Sequence, residues 1–115
     1  MPIPTPGKPV RGSRSGEPIM AVFDLLGRRW AMGIVWNLKQ GACTFRDLQA
    51  RCETISPSIL NRRLKELREA QLIVRCNDGY CLTPLGGQLY ELLVPLSKWS
   101  RNWASEISQQ EEGAS

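Results

Sequence analysis

The stretch TFRDLQARCETISPSILNRRLKELREA, residues 44–70, contains two helix starts in close succession. Thr44 can accept a hydrogen bond from the backbone amide of Asp47 while the Asp47 side chain reaches back to Thr44, a capping box with aspartate in the usual glutamate position. Ser56 followed by Pro57 is a second N-cap, because proline is tolerated at a first helical position where no amide hydrogen is needed. The stretch therefore predicts two short helices joined by a tight turn, the pattern of a helix-turn-helix.

The second helix, predicted over residues 56–70, has one apolar side and one basic side. Leu60, Leu64 and Leu67 recur at i, i+4 and i+7 and predict the side that faces the core. The opposite side is polar, and its first two turns suit the major groove of DNA, where amide and guanidinium groups can read base edges. Taken alone, the same face is more typical of a solvated surface with charge pairs at helical spacing, and its combination with the helix-turn-helix caps and the hairpin favours DNA contact.

The predicted contacts to double-stranded DNA divide into base readers and phosphate contacts. Asn61 can pair with adenine and Arg62 with guanine. Phosphate contacts are predicted for Arg63, Lys65 and Arg46, and also for the N-terminal amides of the helix that starts at Thr44. The full predicted DNA-binding set is Thr44, Arg46, Ser56, Pro57, Ser58, Asn61, Arg62, Arg63, Lys65, Arg75 and Asn77.

A β-hairpin, the expected wing, follows the second helix. Asp78 and Gly79 separate the β-prone runs LIVRCN and YCLT, and this dipeptide is a strong turn signal. If these two residues alone form the turn, Cys76 and Cys81 lie opposite each other and a disulfide can form. If Asn77 joins a three-residue turn, the two cysteines do not face each other. We expect the second register, because it gathers apolar side chains on one face: Leu72, Val74 and Leu82.

Further helices are predicted on both sides of this unit. One is expected from Pro18 to Leu26 and another from Arg29 to Lys39, each with apolar residues at helical spacing. Thr83 and Pro84 repeat the cap-plus-proline pattern and open a long final helix. The predicted organisation is a disordered basic tail over residues 1–16, one domain over residues 17–108 and a flexible C-terminus over residues 109–115.

The final helix carries a long apolar stripe at alternating steps of four and three residues, the spacing of helix-on-helix packing. So many large apolar residues at the end of a small domain predict a surface for a second copy of the chain, although the stripe could instead close the core of one chain. The predicted homodimer interface consists of Ile19, Val22, Phe23, Leu89, Leu92, Leu93, Leu96, Trp99 and Trp103.

The net charge of the chain indicates the kind of partner. Fifteen Lys and Arg residues against eleven Asp and Glu residues give a net charge of +4, which favours a polyanionic partner.

Other classes of protein are not indicated by the composition. The four cysteines match no zinc-binding spacing and histidine is absent, so we expect reduced thiols, no metal and no cofactor. No glycine-rich phosphate loop or catalytic constellation indicates an enzyme. No run approaches the ~18 apolar residues of a membrane span, and no export signal is evident, which predicts a cytoplasmic location without a membrane partner.

Several short motifs in a characteristic order carry a family resemblance. They are GRRW at Gly27–Trp30, Phe45 with Leu48, the run from Ile55 to Leu67, LIVR after it, LTPLG at Leu82–Gly86, and Pro95 with Trp99. From about Ile19 to Trp103 the chain resembles the HxlR-type winged helix-turn-helix regulators of bacteria. The resemblance implies a dimeric DNA-binding repressor or activator, with dimer contacts from the first and last helices.

The chain departs from the family pattern at three places. A cysteine usually precedes the first helix, whereas this chain has residues 15–18, SGEP, so thiol sensing there is not carried over. The wing is shorter than usual and has the acidic Asp78 at its tip. The glycine usual after the second helix is replaced by Gln71, which must adopt an unfavourable backbone or let the helix continue.

The sequence thus predicts a mainly α fold with a small β-hairpin, a winged helix-turn-helix with flanking dimerisation helices. The predicted function is a dimeric, sequence-specific transcriptional regulator that reads an inverted-repeat operator with the helix over residues 56–70. Two alternatives stay open. One is a winged helix used as a protein-interaction module, and the other is a thiol-responsive regulator that uses Cys76 and Cys81. The sequence identifies no small-molecule effector.

Overall fold

The computed structural model describes residues 3–9, 16–77 and 79–114 and has five helices and one hairpin in this part of the chain. In chain order the elements are α1 (Pro18–Leu26), α2 (Ala31–Asn37), α3 (Phe45–Arg51), α4 (Pro57–Glu69), β1 (Ile73–Cys76), β2 (Gly79–Leu82) and α5 (Pro84–Ala114). The expected mainly α fold with a hairpin after the helix-turn-helix is confirmed.

The first two helices follow the sequence with one difference. The bounds of α1 are those predicted. By contrast, α2 is shorter than the predicted Arg29–Lys39, because Trp30 has a left-handed backbone with φ of 72° and the helix begins only after it. At the other end Leu38 leaves the helical conformation, with ψ of 3°.

Both predicted N-caps of the helix-turn-helix are present. Asp47 N lies 3.1 Å from Thr44 Oγ1, and Thr44 N lies 3.1 Å from Asp47 Oδ2, which completes the capping box of α3. Ser56 Oγ accepts a hydrogen bond of 3.2 Å from Ile59 N at the start of α4. These side chains satisfy amide groups that the first turn of a helix leaves unpaired, so each helix starts where its cap stands.

The core lies between α2, α3, α4 and the hairpin. Leu60, Leu64 and Leu67 are at most 2% exposed, which confirms the predicted inward side of α4. Leu93 is a correction to the predicted dimer interface: it is 8% exposed and belongs to the core cluster. An apolar stripe at helical spacing does not by itself separate the residues that pack inside one chain from those that stay outside.

The hairpin has neither of the two expected registers. Cys76 pairs with Gly79 and Val74 pairs with Cys81, so Gly79 belongs to β2 rather than to the turn. The reason is a close approach from elsewhere in the fold. Tyr80 and Cys43 exchange backbone hydrogen bonds of 2.8 and 3.0 Å, and a Cβ at Gly79 would collide with the carbonyl of Cys43. Asp78, predicted at the wing tip, lies outside the described residues.

This register brings two cysteines together. Cys76 and Cys81 are diagonal neighbours across the hairpin, with their Cα atoms 6.2 Å apart, and they form a disulfide. The expectation of reduced thiols is therefore wrong for this pair. Cys43 and Cys52 are free and buried, and burial raises the pKa of the Cys52 thiol.

The start of α5 is tied to the end of α4 through Thr83. Gly86 N donates to Thr83 Oγ1 at 3.0 Å, which is the predicted cap, and the Thr83 hydroxyl donates to the Gln71 carbonyl at 2.6 Å. At its other end α5 continues as a helix through residues 109–114. In the N-terminal region, residues 1–2 and 10–15 of the predicted tail lie outside the described residues, while Ile3 and Pro4 are half-buried. The predicted division into tail, domain and C-terminus stays a prediction.

Gln71 provides a direct test of backbone strain. Its φ of 64° is left-handed, a conformation that costs a residue with a Cβ about 1–2 kcal/mol. We therefore expect Gln71→Gly to raise the free energy of unfolding by roughly 0.5–1 kcal/mol, since the greater freedom of glycine in the unfolded chain offsets part of the gain. Denaturant unfolding measures the change. The control, Lys65→Gly at an exposed position inside α4, should lower stability by about 1 kcal/mol, and a lower midpoint for Gln71→Gly would contradict the assignment.

Candidate nucleic-acid interface

The outer side of α4 presents a continuous polar and basic surface. Ser56, Pro57 and Ser58 at its start are exposed, and so are Asn61, Arg62 and Lys65 in the turns that follow. The apolar residues of the same helix face the opposite way, into the core. The first two turns are therefore free of the rest of the domain and can enter a groove about one helix wide.

The Arg63 side chain, which was predicted to contact DNA, makes contacts within the domain instead. Its Nε donates to the carbonyl of Arg29 at 2.7 Å, its Nη1 donates to Glu66 Oε1 at 2.9 Å, and its side chain is 15% exposed. The guanidinium is thus engaged inside the domain, by a carboxylate of its own helix and by a backbone carbonyl 34 positions earlier in the chain. We correct the predicted set accordingly and leave Arg63 out of the candidate DNA contacts.

The start of α3 adds a second exposed edge to the surface. Thr44 and Arg46 are both exposed. The backbone and hydroxyl hydrogen bonds of Thr44 hold the pKa of the Asp47 carboxyl below its usual value, with a smaller contribution from Arg51. The amides of Thr44 and Asp47 are therefore already engaged within the capping box, and the exposed guanidinium of Arg46 is the charged group at this edge that suits a phosphate.

The wing lies beside the start of α3, because Cys43 and Tyr80 are joined by the backbone bridge described above. Arg75 and Tyr80 are partners across the hairpin, and the Arg75 guanidinium carbon lies 5.6 Å from the centroid of the Tyr80 ring. Such a contact restricts the arginine without removing its charge. Both Arg75 and Asn77 are exposed, so the candidate surface extends from α4 and α3 onto the wing.

A separate apolar surface covers α1 and α5. Six of the residues predicted for the dimer interface are at least half exposed: Ile19, Phe23, Leu92, Leu96, Trp99 and Trp103. The rings of Trp99 and Trp103 stack in parallel with centroids 6.0 Å apart. Val22 is 37% exposed, whereas Leu89 is partly buried against the core. A stripe of this size on a small domain is typical of a protein–protein contact.

Two residues outside the predicted interface set extend the apolar surface. Leu85, which belongs to the apolar stripe of the sequence, is 49% exposed. Ile107 is 41% exposed and was missed, although its spacing of four residues from Trp103 was a usable signal. Arg28 and Glu66 were also missed, because a buried ion pair between distant segments has no signature in the sequence.

The described part of the chain contains neither a group of metal-binding side chains nor a helix that could span a membrane. In residues 3–9, 16–77 and 79–114, no three His, Cys, Asp or Glu side chains are grouped as metal ligands would be. None of the helices in the described part of the chain combines the length and apolar character needed to cross a membrane.

Comparison with known proteins agrees with this geometry. The family model described as HxlR-like helix-turn-helix matches residues 25–108. The HTH-type transcriptional regulator YvaP of Bacillus subtilis is 32% identical over 87 residues, which cover 70% of this chain and 81% of YvaP. The structure of a "possible HxlR family transcriptional factor" from Thermoplasma volcanium has a TM-score of 0.68 and 30% identity, covering 77% of this chain and 86% of that one. Quinone-bound YodB of B. subtilis has a TM-score of 0.67 and 29% identity, with coverages of 73% and 94%.

Proposed function

The chain belongs to the HxlR-like helix-turn-helix family and is a transcriptional regulator of the winged-helix type, and from this premise we propose that it binds operator DNA as a homodimer. In this proposal α4 enters the major groove, Asn61 and Arg62 read base edges, and Lys65, Arg46 and the wing residues Arg75 and Asn77 contact the backbone. The proposal gives the chain no catalytic role. In this proposal the protein acts on chromosomal DNA and is therefore located in the cytoplasm.

One observation carries the proposal: the first two turns of α4 are exposed and carry polar and basic side chains, while the caps and the core hold the helix in place. A rigid helix with a free N-terminal end is the element that major-groove recognition needs. The apolar surface of α1 and α5 supports the homodimer. A twofold dimer can place two copies of α4 ~34–36 Å apart, one turn of DNA, and so favours an inverted repeat.

Selection of preferred duplexes from a random pool tests the proposal. We expect enrichment of an inverted repeat with half-sites one helical turn apart. The affinity for the selected duplex should fall at least about ten-fold between about 50 and about 200 mM salt, because bound phosphates release counterions. Absence of binding at low salt would overturn the proposal and leave the winged helix as a protein-interaction module.

The disulfide between Cys76 and Cys81 favours a second, compatible function, control of DNA binding by thiol oxidation. The pair encloses Asn77 and follows Arg75 directly, so the bond restrains the part of the wing proposed to touch DNA. Oxidised glutathione can supply the oxidation: two thiols become one disulfide, and the two electrons and two protons leave as two molecules of reduced glutathione.

We predict that reduction changes the operator affinity of the wild-type protein by about five-fold or more, as is usual for coupled sites. A Cys76→Ser/Cys81→Ser double variant should bind equally well with oxidised or reduced glutathione. The matched control is Cys43→Ala, which removes a buried free thiol and should leave the redox response intact. An unchanged affinity of the wild type in both buffers would exclude this function, and mass spectrometry of the alkylated protein verifies the redox state in each buffer.

A further inference from the structure

Glu66 is an acidic residue in the interior. It is 3% exposed and is the one buried charged residue among those that the structure describes. Oε2 accepts a hydrogen bond from Arg28 Nη1, and Oε1 accepts one of 2.9 Å from Arg63 Nη1. Both carboxylate oxygens are therefore paired, each with a guanidinium, in a part-buried environment where such bonds are strong and directional.

The network spans three segments of the chain. Arg28 follows α1 and lies 3.9 Å from Asp24 of that helix, through Nη2 and Oδ2. Arg63 continues the network from α4 to the backbone carbonyl of Arg29, at 2.7 Å. Glu66 thus links the recognition helix to the segment that leaves α1.

A gain in folding stability does not by itself explain why the chain has this buried ion network. Replacing a buried ion network by well-packed apolar residues is often neutral or stabilising, because desolvation of the charges offsets their attraction. Two contacts cross from α4 to the Arg28–Arg29 segment, Arg28 with Glu66 and Arg63 with the Arg29 carbonyl, and they restrict how α4 lies against that segment, while the bond from Arg63 to Glu66 within α4 orients both side chains. A shift of α4 along or around its axis would break at least one of the hydrogen bonds.

The two linked elements belong to the two surfaces already described. The α1 helix carries Ile19 and Phe23 of the apolar surface, and α4 carries Asn61 and Arg62 of the polar surface. In a dimer built on α1 and α5, the placement of α4 relative to α1 decides how far apart, and at what angle, the two recognition helices lie.

We propose that Glu66 is a positioning residue, which sets the half-site spacing of the operator by holding α4 against the Arg28–Arg29 segment. The proposal rests on the proposed function of a DNA-binding dimer. Glu66 itself does not touch DNA. It acts through Arg28 and Arg63. Its removal broadens the distance and the angle between the two copies of α4, while the contact of each copy with its own half-site stays the same.

A pair of isosteric variants provides the test. Glu66→Gln removes the buried charge, and Glu69→Gln makes the same change at an exposed position of the same helix. For each protein, affinity is measured for duplexes with the preferred spacing and with one base pair inserted or removed. We expect wild type and Glu69→Gln to prefer the correct spacing by at least about ten-fold, since a misplaced half-site requires DNA deformation, and Glu66→Gln to lose most of this preference.

A second measurement is independent of DNA. A spin label is attached at Arg68→Cys in a Cys76→Ser/Cys81→Ser background. Pulsed electron–electron double resonance then gives the distance between the two copies of α4 in the free dimer. We expect a narrow distribution for wild type and Glu69→Gln, and a spread wider by about 1 Å or more for Glu66→Gln. A distribution as narrow as that of wild type overturns the positioning role, whereas a wild-type protein without any defined distance overturns the proposed dimer.

A purely structural role predicts a different pattern. In that case Glu66→Gln lowers the unfolding midpoint but keeps the spacing preference and the narrow distance, which would refute the proposal. If Glu66→Gln does not fold, the apolar triple variant Glu66→Met, Arg28→Leu, Arg63→Leu replaces the network without leaving an unpaired buried charge. The same loss of spacing preference is expected for it, and a retained preference would refute the positioning role.

Discussion

Trp99→Glu is expected to convert the protein into a folded monomer with at least about 100-fold lower operator affinity, because a monomer engages a single half-site and loses the gain from linked binding. Trp99 is 56% exposed and stacks on Trp103, so it contributes little to the core of its own chain. In a dimer the new carboxylate would be buried without a partner, which opposes association strongly.

The control for this change is Asn102→Glu, which adds the same charge at an exposed polar position of α5. We expect it to stay dimeric and to bind the operator as the wild type does. Sedimentation equilibrium gives the mass, circular dichroism verifies the fold, and titration of labelled duplex gives the affinity. A dimeric Trp99→Glu protein would contradict the interface, and a monomer that keeps full operator affinity would contradict reading by two linked half-sites.

Arg62→Ala should have the other large effect, on sequence discrimination. A good bidentate contact between arginine and guanine contributes about 1–3 kcal/mol of discrimination. A dimer makes this contact twice, so about 2–6 kcal/mol is lost, which corresponds to a roughly 30-fold to 25,000-fold weaker affinity for the selected operator. Random duplexes should be bound almost as before, and the base preference should relax at one position in each half-site.

Lys65→Ala is the matched control, because Lys65 is exposed on the same helix and is assigned to a phosphate. It should weaken binding to all duplexes alike and reduce the salt dependence of the affinity. Binding curves for the selected operator and for a scrambled duplex, at several salt concentrations, separate the two effects. Equal losses on both duplexes for Arg62→Ala would contradict its role as a base reader.

Local signals predicted the helix-turn-helix well. The capping box of Thr44 and the Ser56–Pro57 pair act within a single turn of chain, and the structure has both caps. The exposure of Asn61, Arg62 and Lys65 followed from the leucine spacing, because burial of one side of a helix determines which side remains outside.

The two wrong assignments, of Arg63 and Leu93, have a different origin from these local signals. Arg63 was assigned to DNA, yet its partners are Arg29 and Glu66, and the first of these is 34 positions away along the chain. Leu93 and Leu92 are neighbours in one apolar stripe, but only the first is buried. Both assignments depend on which surface of the helix meets the rest of the domain, and the pattern within one helix does not specify that contact.

The amino-acid sequence by itself determined where the helices start, which face of α4 is apolar, and which family the motifs resemble, because caps and periodicity act over a few residues. The tertiary structure alone decided the hairpin register, the pairing of Cys76 with Cys81 and the burial of Glu66. Each of these depends on an approach between distant segments: the Cys43 backbone excludes a Cβ at Gly79, and two arginines enclose the carboxylate. Such approaches exist only once the core has packed.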